Sequence, residues 1–176
     1  MSEGRATSAG LRTLCGALLA LSLLALPACS YSTDFVVVND SGSPVEVRYT
    51  LKSRYRRDEC CTVRPAKKAF DKLDDGDTPW RDVPAGEFSH DRAAGAVTLT
   101  LYPGEALRVA KGSNWRGHGD SSGDEFFEIE SISIAGAGGG VHYEGRQAQY
   151  QFQQQDSQLY KLTYYGWGDK AYDGGR

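Results

Sequence analysis

The chain has 176 residues, with 20 Lys and Arg against 23 Asp and Glu, and a net charge of −3 at pH 7. That length supports one domain with a real core, and the mild acidity argues against general nucleic-acid binding. Gly (21) and Tyr (10) are frequent, and apolar residues come in short alternating bursts between Gly, Asp, Ser and Pro, the composition of strands and turns.

The first element is an apolar run, Leu14–Leu26, behind a weakly basic segment with Arg5 and Arg12 offset by Glu3. The run suits the hydrophobic part of an export signal and is short of the roughly 20 residues that span a bilayer core. Pro27 stops a helix there, and small Ala28 precedes Cys29. Leu26-Pro27-Ala28-Cys29 resembles the lipobox of bacterial lipoproteins, where a Leu three residues before the Cys and a small residue just before it are typical. The resemblance implies that Cys29 receives a diacylglyceryl thioether, that the chain is cut before it, and that the new amino group is often acylated. Two or three acyl chains hold a protein to a bilayer far better than one, at about 0.8 kcal/mol per buried methylene. Ser30 follows the Cys, which in Gram-negative lipoproteins implies outer-membrane sorting, because the common retention signal there is Asp. Two rival readings of the run stay open: ordinary signal-peptidase cleavage that frees a soluble protein, and an uncleaved helix.

The expected organisation is a signal peptide at 1–28, a lipidated tether at 29–34, a β-domain at 35–165 with an insert at 53–95, and a Gly/aromatic tail at 166–176. Phe35–Val38 reads as a strand. Pro44–Lys52 alternates Val45, Val47, Tyr49 and Leu51 against Glu46, Arg48, Thr50 and Lys52. With Asn39–Ser43 as the turn, the two runs read as a hairpin. Ser53–Gly95 loses the alternation and reads as a long irregular insert, with room for a turn of helix in Val63–Leu73 and a short strand at Trp80–Val83.

Alternation resumes at Ala96–Tyr102, with Val97, Leu99 and Leu101 inward. Pro103-Gly104 has the signature of a type II turn, and Ala106–Ala110 follows as a strand. Lys111–Asp124 is a Gly/Ser/Asp loop. In Phe126–Ala135, Phe127 and Ile129 have one parity and Ile132 and Ile134 the other. A β-bulge near Glu130-Ser131 would turn all four inward; a strand covered on both faces is the alternative. Gly136–Gly140 reads as a turn, and Val141–Glu144, Gln147–Gln153 and Tyr160–Tyr165 as strands. The whole fits an all-β fold, an antiparallel β-sandwich of eight or nine short strands, with a small barrel as runner-up.

Sites are few. Cys15 belongs to the signal and Cys29 to the anchor, so only Cys60-Cys61 remains in the domain. Adjacent Cα atoms lie about 3.8 Å apart, below the usual disulfide range of about 4.4–6.8 Å. A vicinal disulfide there would be strained and reducible. An intermolecular bridge, a thiol metal site and a pair without function are the alternatives. From Arg48 to Lys72 the chain is basic. Arg54, Arg56, Arg57, Arg64, Lys67 and Lys68 are the candidates for binding an anionic surface, against the plainer reading of a solvated loop.

His90-Asp91, His118 with Asp120 and Asp124, and His142 with Glu144 are the only candidates for acid–base chemistry. No zinc, phosphate or nucleophile-elbow motif is present, so no cofactor is expected. These features favour a membrane-anchored binding or assembly module. Its expected partners are the bilayer through Cys29 and an anionic envelope component or envelope protein, with no nucleic acid. An envelope enzyme with a His/Asp site and a passive structural lipoprotein are the alternatives. Exposed Trp80, Trp115 or Trp167 would favour binding.

Overall fold

A computed structural model describes residues 32–52, 65–113, 127–156 and 158–166, all within one compact unit, Tyr31–Arg176. Cys29, Cys60, Cys61, Arg54, Arg56, Arg57, Arg64, Trp115, His118, Asp120, Asp124 and Trp167 lie outside the described residues. Among the described residues, eleven strands form two open sheets that enclose one core, a β-sandwich and not a closed barrel.

The strands in chain order are β1 (Ser32–Asn39), β2 (Val45–Leu51), β3 (Ala66–Ala69), β4 (Arg81–Asp82), β5 (Phe88–Asp91), β6 (Ala96–Leu101), β7 (Glu105–Ser113), β8 (Ile129–Gly136), β9 (Gly139–Glu144), β10 (Gln153–Gln154) and β11 (Leu159–Tyr164). One sheet has the order β10-β11-β1-β7-β3-β4, and the other β5-β6-β2-β8-β9. Among the described strands every pair is antiparallel except β1 with β11, which run parallel.

Strand β1 sits in the middle of its sheet, and both of its faces are buried, as the unbroken Val36-Val37-Val38 run requires. Phe35 and Val37 point into the main core between the sheets. Val36 and Val38 join Ala106 and Leu159 on the outer face, where Phe70, Leu73 and Trp80 pack over them. Phe35 anchors an aromatic cluster, meeting Phe127 at 5.1 Å and Phe152 at 5.6 Å, both edge to face. A fully buried Phe, Leu, Ile or Val contributes roughly 1.5–3 kcal/mol through area removed from water, so this cluster is a large share of the core.

The expected hairpin of β1 and β2 is not formed, because the two strands belong to different sheets. Asn39 explains the crossing. Its buried side-chain amide donates to the carbonyls of Ser43 and Leu101, at 2.9 Å each, and its Oδ1 accepts from the Ser41 N–H and hydroxyl. Every polar atom of that amide is therefore satisfied by a corner, and the corner carries the chain from one sheet to the other. The bonds also put Asn39 at the same end of the sandwich as Leu101 and Val45. Ser32, Leu51, Ile129 and Glu144 consequently mark the opposite, N-terminal end.

The strand expected at Gln147–Gln153 is instead a helix, α1 (Gly145–Gln151), followed by the two-residue β10. Ala148 and Phe152 are buried, whereas Tyr150 is 55% exposed. A spacing of four residues satisfies both periods, and the exposure of Tyr150 together with the burial of Gln149 distinguishes the helix. Gly145, at φ +51, ends β9 in a conformation that other residues adopt only under strain. From the stretch expected to be irregular, residues 65–95 supply β3, a single 3-10 turn (Phe70–Lys72), β4 and β5.

Other expectations are met. Pro103-Gly104 forms the type II turn, with Gly104 at φ +75 and the Glu105 N–H bonded to the Tyr102 carbonyl. In β8 the register passes from Thr50–Ser131 to Leu51–Ile129, so Glu130 is the extra residue of a bulge. Phe127, Ile129, Ile132 and Ile134 are all buried as a result. Among the described residues no helix is long and apolar enough to cross a membrane.

Candidate functional site

The outer face of the five-stranded sheet is polar because its strands alternate cleanly with the core face. Register aligns Ser89, Thr98, Arg48, Ser133 and His142 in one row across all five strands. The next row holds Asp91, Ala96, Thr50, Ser131 and Glu144. Thr50 and Ser131 share a hydroxyl–hydroxyl bond of 2.6 Å. With Glu130, Glu144 and Gly145 they line an open groove of about 550 Å³ beside the end of β9.

His142 is the chemical centre of this face. Its Nδ1 lies 2.7 Å from the Ser133 hydroxyl and its Nε2 lies 2.9 Å from a Glu144 carboxylate oxygen. An ionised carboxylate only accepts, so Nε2–H donates to Glu144 and Nδ1 accepts the Ser133 hydroxyl proton. This is the hydrogen-bond order of a Ser–His–acid relay. It lacks the second requirement of acyl transfer. Strand β8 lies between β2 and β9, and the ladders take up the backbone N–H groups of Ser133 and Ile134. Among the described residues, β8 therefore offers no paired backbone donors at Ser133 to stabilise an oxyanion. The imidazole and carboxylate are also 54% and 75% exposed, so water would compete at each step. The arrangement suits hydrogen bonding to a ligand better than covalent catalysis.

The remaining candidates do not converge on it. His90 and Asp91 lie on β5, the opposite edge of the sheet, four strand spacings or about 19 Å from β9. No group of three or more His, Cys, Asp or Glu side chains able to hold a metal occurs among the described residues. Lys67 and Lys68 are buried at 7% and 8% exposure. The Lys67 ammonium donates to the Thr100 carbonyl at 2.7 Å and to Glu105 at 3.0 Å, and that of Lys68 donates to the Asp75 carbonyl at 2.6 Å. Both are engaged inside the fold; the basic run's other candidates, Arg54, Arg56, Arg57 and Arg64, lie outside the described residues. Trp80 stacks with Lys68 and Arg108 over the small outer core and is half-buried.

Sequence reasoning found His142 and Glu144 but missed Ser133, Thr50 and Ser131. A two-residue turn at Ala137-Gly138 pairs Ser133 with His142, and the longer Gly-rich stretch around it concealed that register. The chain matches no family model, and no curated protein or solved structure resembles it closely enough to count as a match.

Proposed function

We propose that the chain is an exported bacterial lipoprotein whose β-sandwich is a binding or assembly module of the cell envelope, held to a bilayer through Cys29. The observation that carries this reading is the order of segments: an apolar export run ends in Leu26-Pro27-Ala28-Cys29, and the central strand β1 begins at Ser32. Ser30 supports outer-membrane sorting where the envelope is Gram-negative. The polar row and groove on the outer sheet face support binding, not turnover. A test is membrane fractionation with metabolic labelling by an alkyne-bearing fatty acid. The wild-type chain is expected in the membrane fraction and labelled. Cys29→Ser is expected unlabelled, and either soluble in the envelope or unprocessed. A Cys29→Ser chain that matures and still requires detergent would overturn the anchor.

One observation favours a second reading, an envelope esterase: the bond order from Ser133 through His142 to Glu144. Hydrolysis of an activated ester that is lost in Ser133→Ala would support it over the binding module.

A further inference from the structure

Strand β9 is an edge of its sheet, and its pairing with β8 determines where its backbone groups point. The two-residue turn makes Gly136 and Gly139 a hydrogen-bonded pair. Because the register is unbroken, Ile134–Val141 and Ile132–Tyr143 are hydrogen-bonded pairs as well. The N–H and C=O groups of Gly140 and His142 and the N–H of Glu144 therefore point to the open side, and none of them has a backbone partner among the described residues. Strand β9 has no Pro, Lys, Arg or bulge, the devices that usually blunt an exposed edge. The other edge strands are shorter, four residues in β5 and two each in β4 and β10. On the core side of β9, Val141 and Tyr143 are only partly buried, as side chains at an unfinished edge are.

We propose that β9 is a docking strand for an extended segment of a partner protein, which adds to the sheet as an antiparallel sixth strand. The chemistry of that segment follows from the edge. Its residues beside Val141 and Tyr143 are apolar and β-branched, those of the other parity are polar, and a Lys or Arg lies near the exposed Glu144 carboxylate. This deepens the reading of the chain as an envelope binding module, and rests on it, by locating the surface and naming the partner's chemistry. A second copy of the chain fits less well. Antiparallel pairing of β9 with itself, centred on His142, sends the two N-terminal ends in opposite directions. Two copies anchored in one bilayer through Cys29 could not meet that way.

The test uses the full chain with Cys29→Ser in mild detergent, so that anchoring plays no part in the result. The probe is a fluorescent decapeptide alternating Thr and Val with one Lys among the Thr positions. The expected result is saturable binding that falls at least about tenfold when the peptide amides facing β9 are N-methylated. His142→Pro should weaken binding similarly, since it removes an outward N–H on an edge strand, together with the imidazole. His142→Ala keeps that N–H and should weaken binding less than His142→Pro does. Glu144→Lys should disfavour the Lys peptide and favour one with Glu in its place. Equal binding of the N-methylated peptide, or none up to about 1 mM, would overturn the proposal. So would dimers of the chain that vanish with His142→Pro, which would assign the edge to self-pairing.

Discussion

Two neighbouring side chains on β1 show how an individual residue in this sandwich can work against stability. Thr33 is fully buried, and its hydroxyl has no hydrogen-bond partner among the described residues. A buried polar group left unpaired costs about 1–3 kcal/mol, and Val has nearly the same shape without the hydroxyl. Thr33→Val is therefore expected to stabilise the domain by about 1 kcal/mol, read as a higher urea midpoint at unchanged slope. A lower midpoint would show that the hydroxyl is satisfied after all. Asp34 is next. Burial pushes its carboxyl above the ordinary range, against the pull of Arg108, whose guanidinium lies 3.7 Å away, and of Lys111 and Lys68. A carboxyl that holds its proton more tightly when folded favours the folded state at low pH. That contribution fades as pH rises from the ordinary carboxylate pKa through the raised one. Asp34→Asn should leave stability unchanged near pH 3 and raise it at pH 7, flattening the decline between. A variant that is less stable at pH 7 would show that the Arg108 pairing outweighs burial.

Among the elements, β8 gives the sharpest case, because its bulge is a matter of counting. Between Ile129 and Ala135, Glu130 is the one residue of β8 without an opposite number on β2. Removing it makes the strand regular while keeping Ile129 opposite Leu51, so Phe127, Ile129, Ile132 and Ile134 all still face the core. Deleting Ser133, at a regular position, reverses the parity of everything on one side of it. Turning Phe127, Ile129 and Ile132 to water would cost roughly 4.5–9 kcal/mol at about 1.5–3 kcal/mol each. Deletion of Glu130 should therefore give a folded domain, and deletion of Ser133 an unfolded one, by circular dichroism and thermal melting. Similar behaviour of the two deletions would refute the bulge. This bulge was legible in the sequence because parity is local: four apolar residues in two phases allow few solutions. What was not legible depended on distant partners. Asn39 looked like a turn residue, and nothing near it in sequence reveals that its amide reaches Leu101 in another sheet. Lys67 and Lys68 looked like surface charge, because their acceptors at Thr100, Glu105 and Asp75 come from separate elements. Ala148 and Phe152 fit either period, and the choice between strand and helix fell to packing against β8. The Ser133–His142 pair followed from one turn length.

For the whole molecule, the placement of the N-terminus decides which surfaces a partner could reach. Strand β1 enters at the end of the sandwich that holds Leu51, Gly95, Ile129 and Glu144, and its far end at Asn39 lies with Val45 and Leu101. Three Cα steps separate Cys29 from Ser32, a reach of at most about 11 Å. The eight residues of β1 add about 26 Å at 3.3 Å per residue. A lipidated chain standing upright would hold the Arg92–Gly95 turn close to the headgroups and the Ala137-Gly138 turn about 35 Å from them. Strand β9 would then run along the membrane normal, with its open edge facing sideways, where a segment of a neighbouring envelope protein could align with it. The geometry can be measured by placing a genetically encoded fluorescent amino acid at Arg92 or at Ala137 in the wild-type lipidated chain, reconstituted into vesicles with an energy acceptor in the headgroup layer. Transfer should be strong from position 92 and several-fold weaker from 137, and Cys29→Ser should remove both signals. Equal transfer from the two positions would mean that the sandwich lies on its side. A sheet face, not the N-terminal end, would then meet the bilayer, and the sideways approach to β9 would be lost.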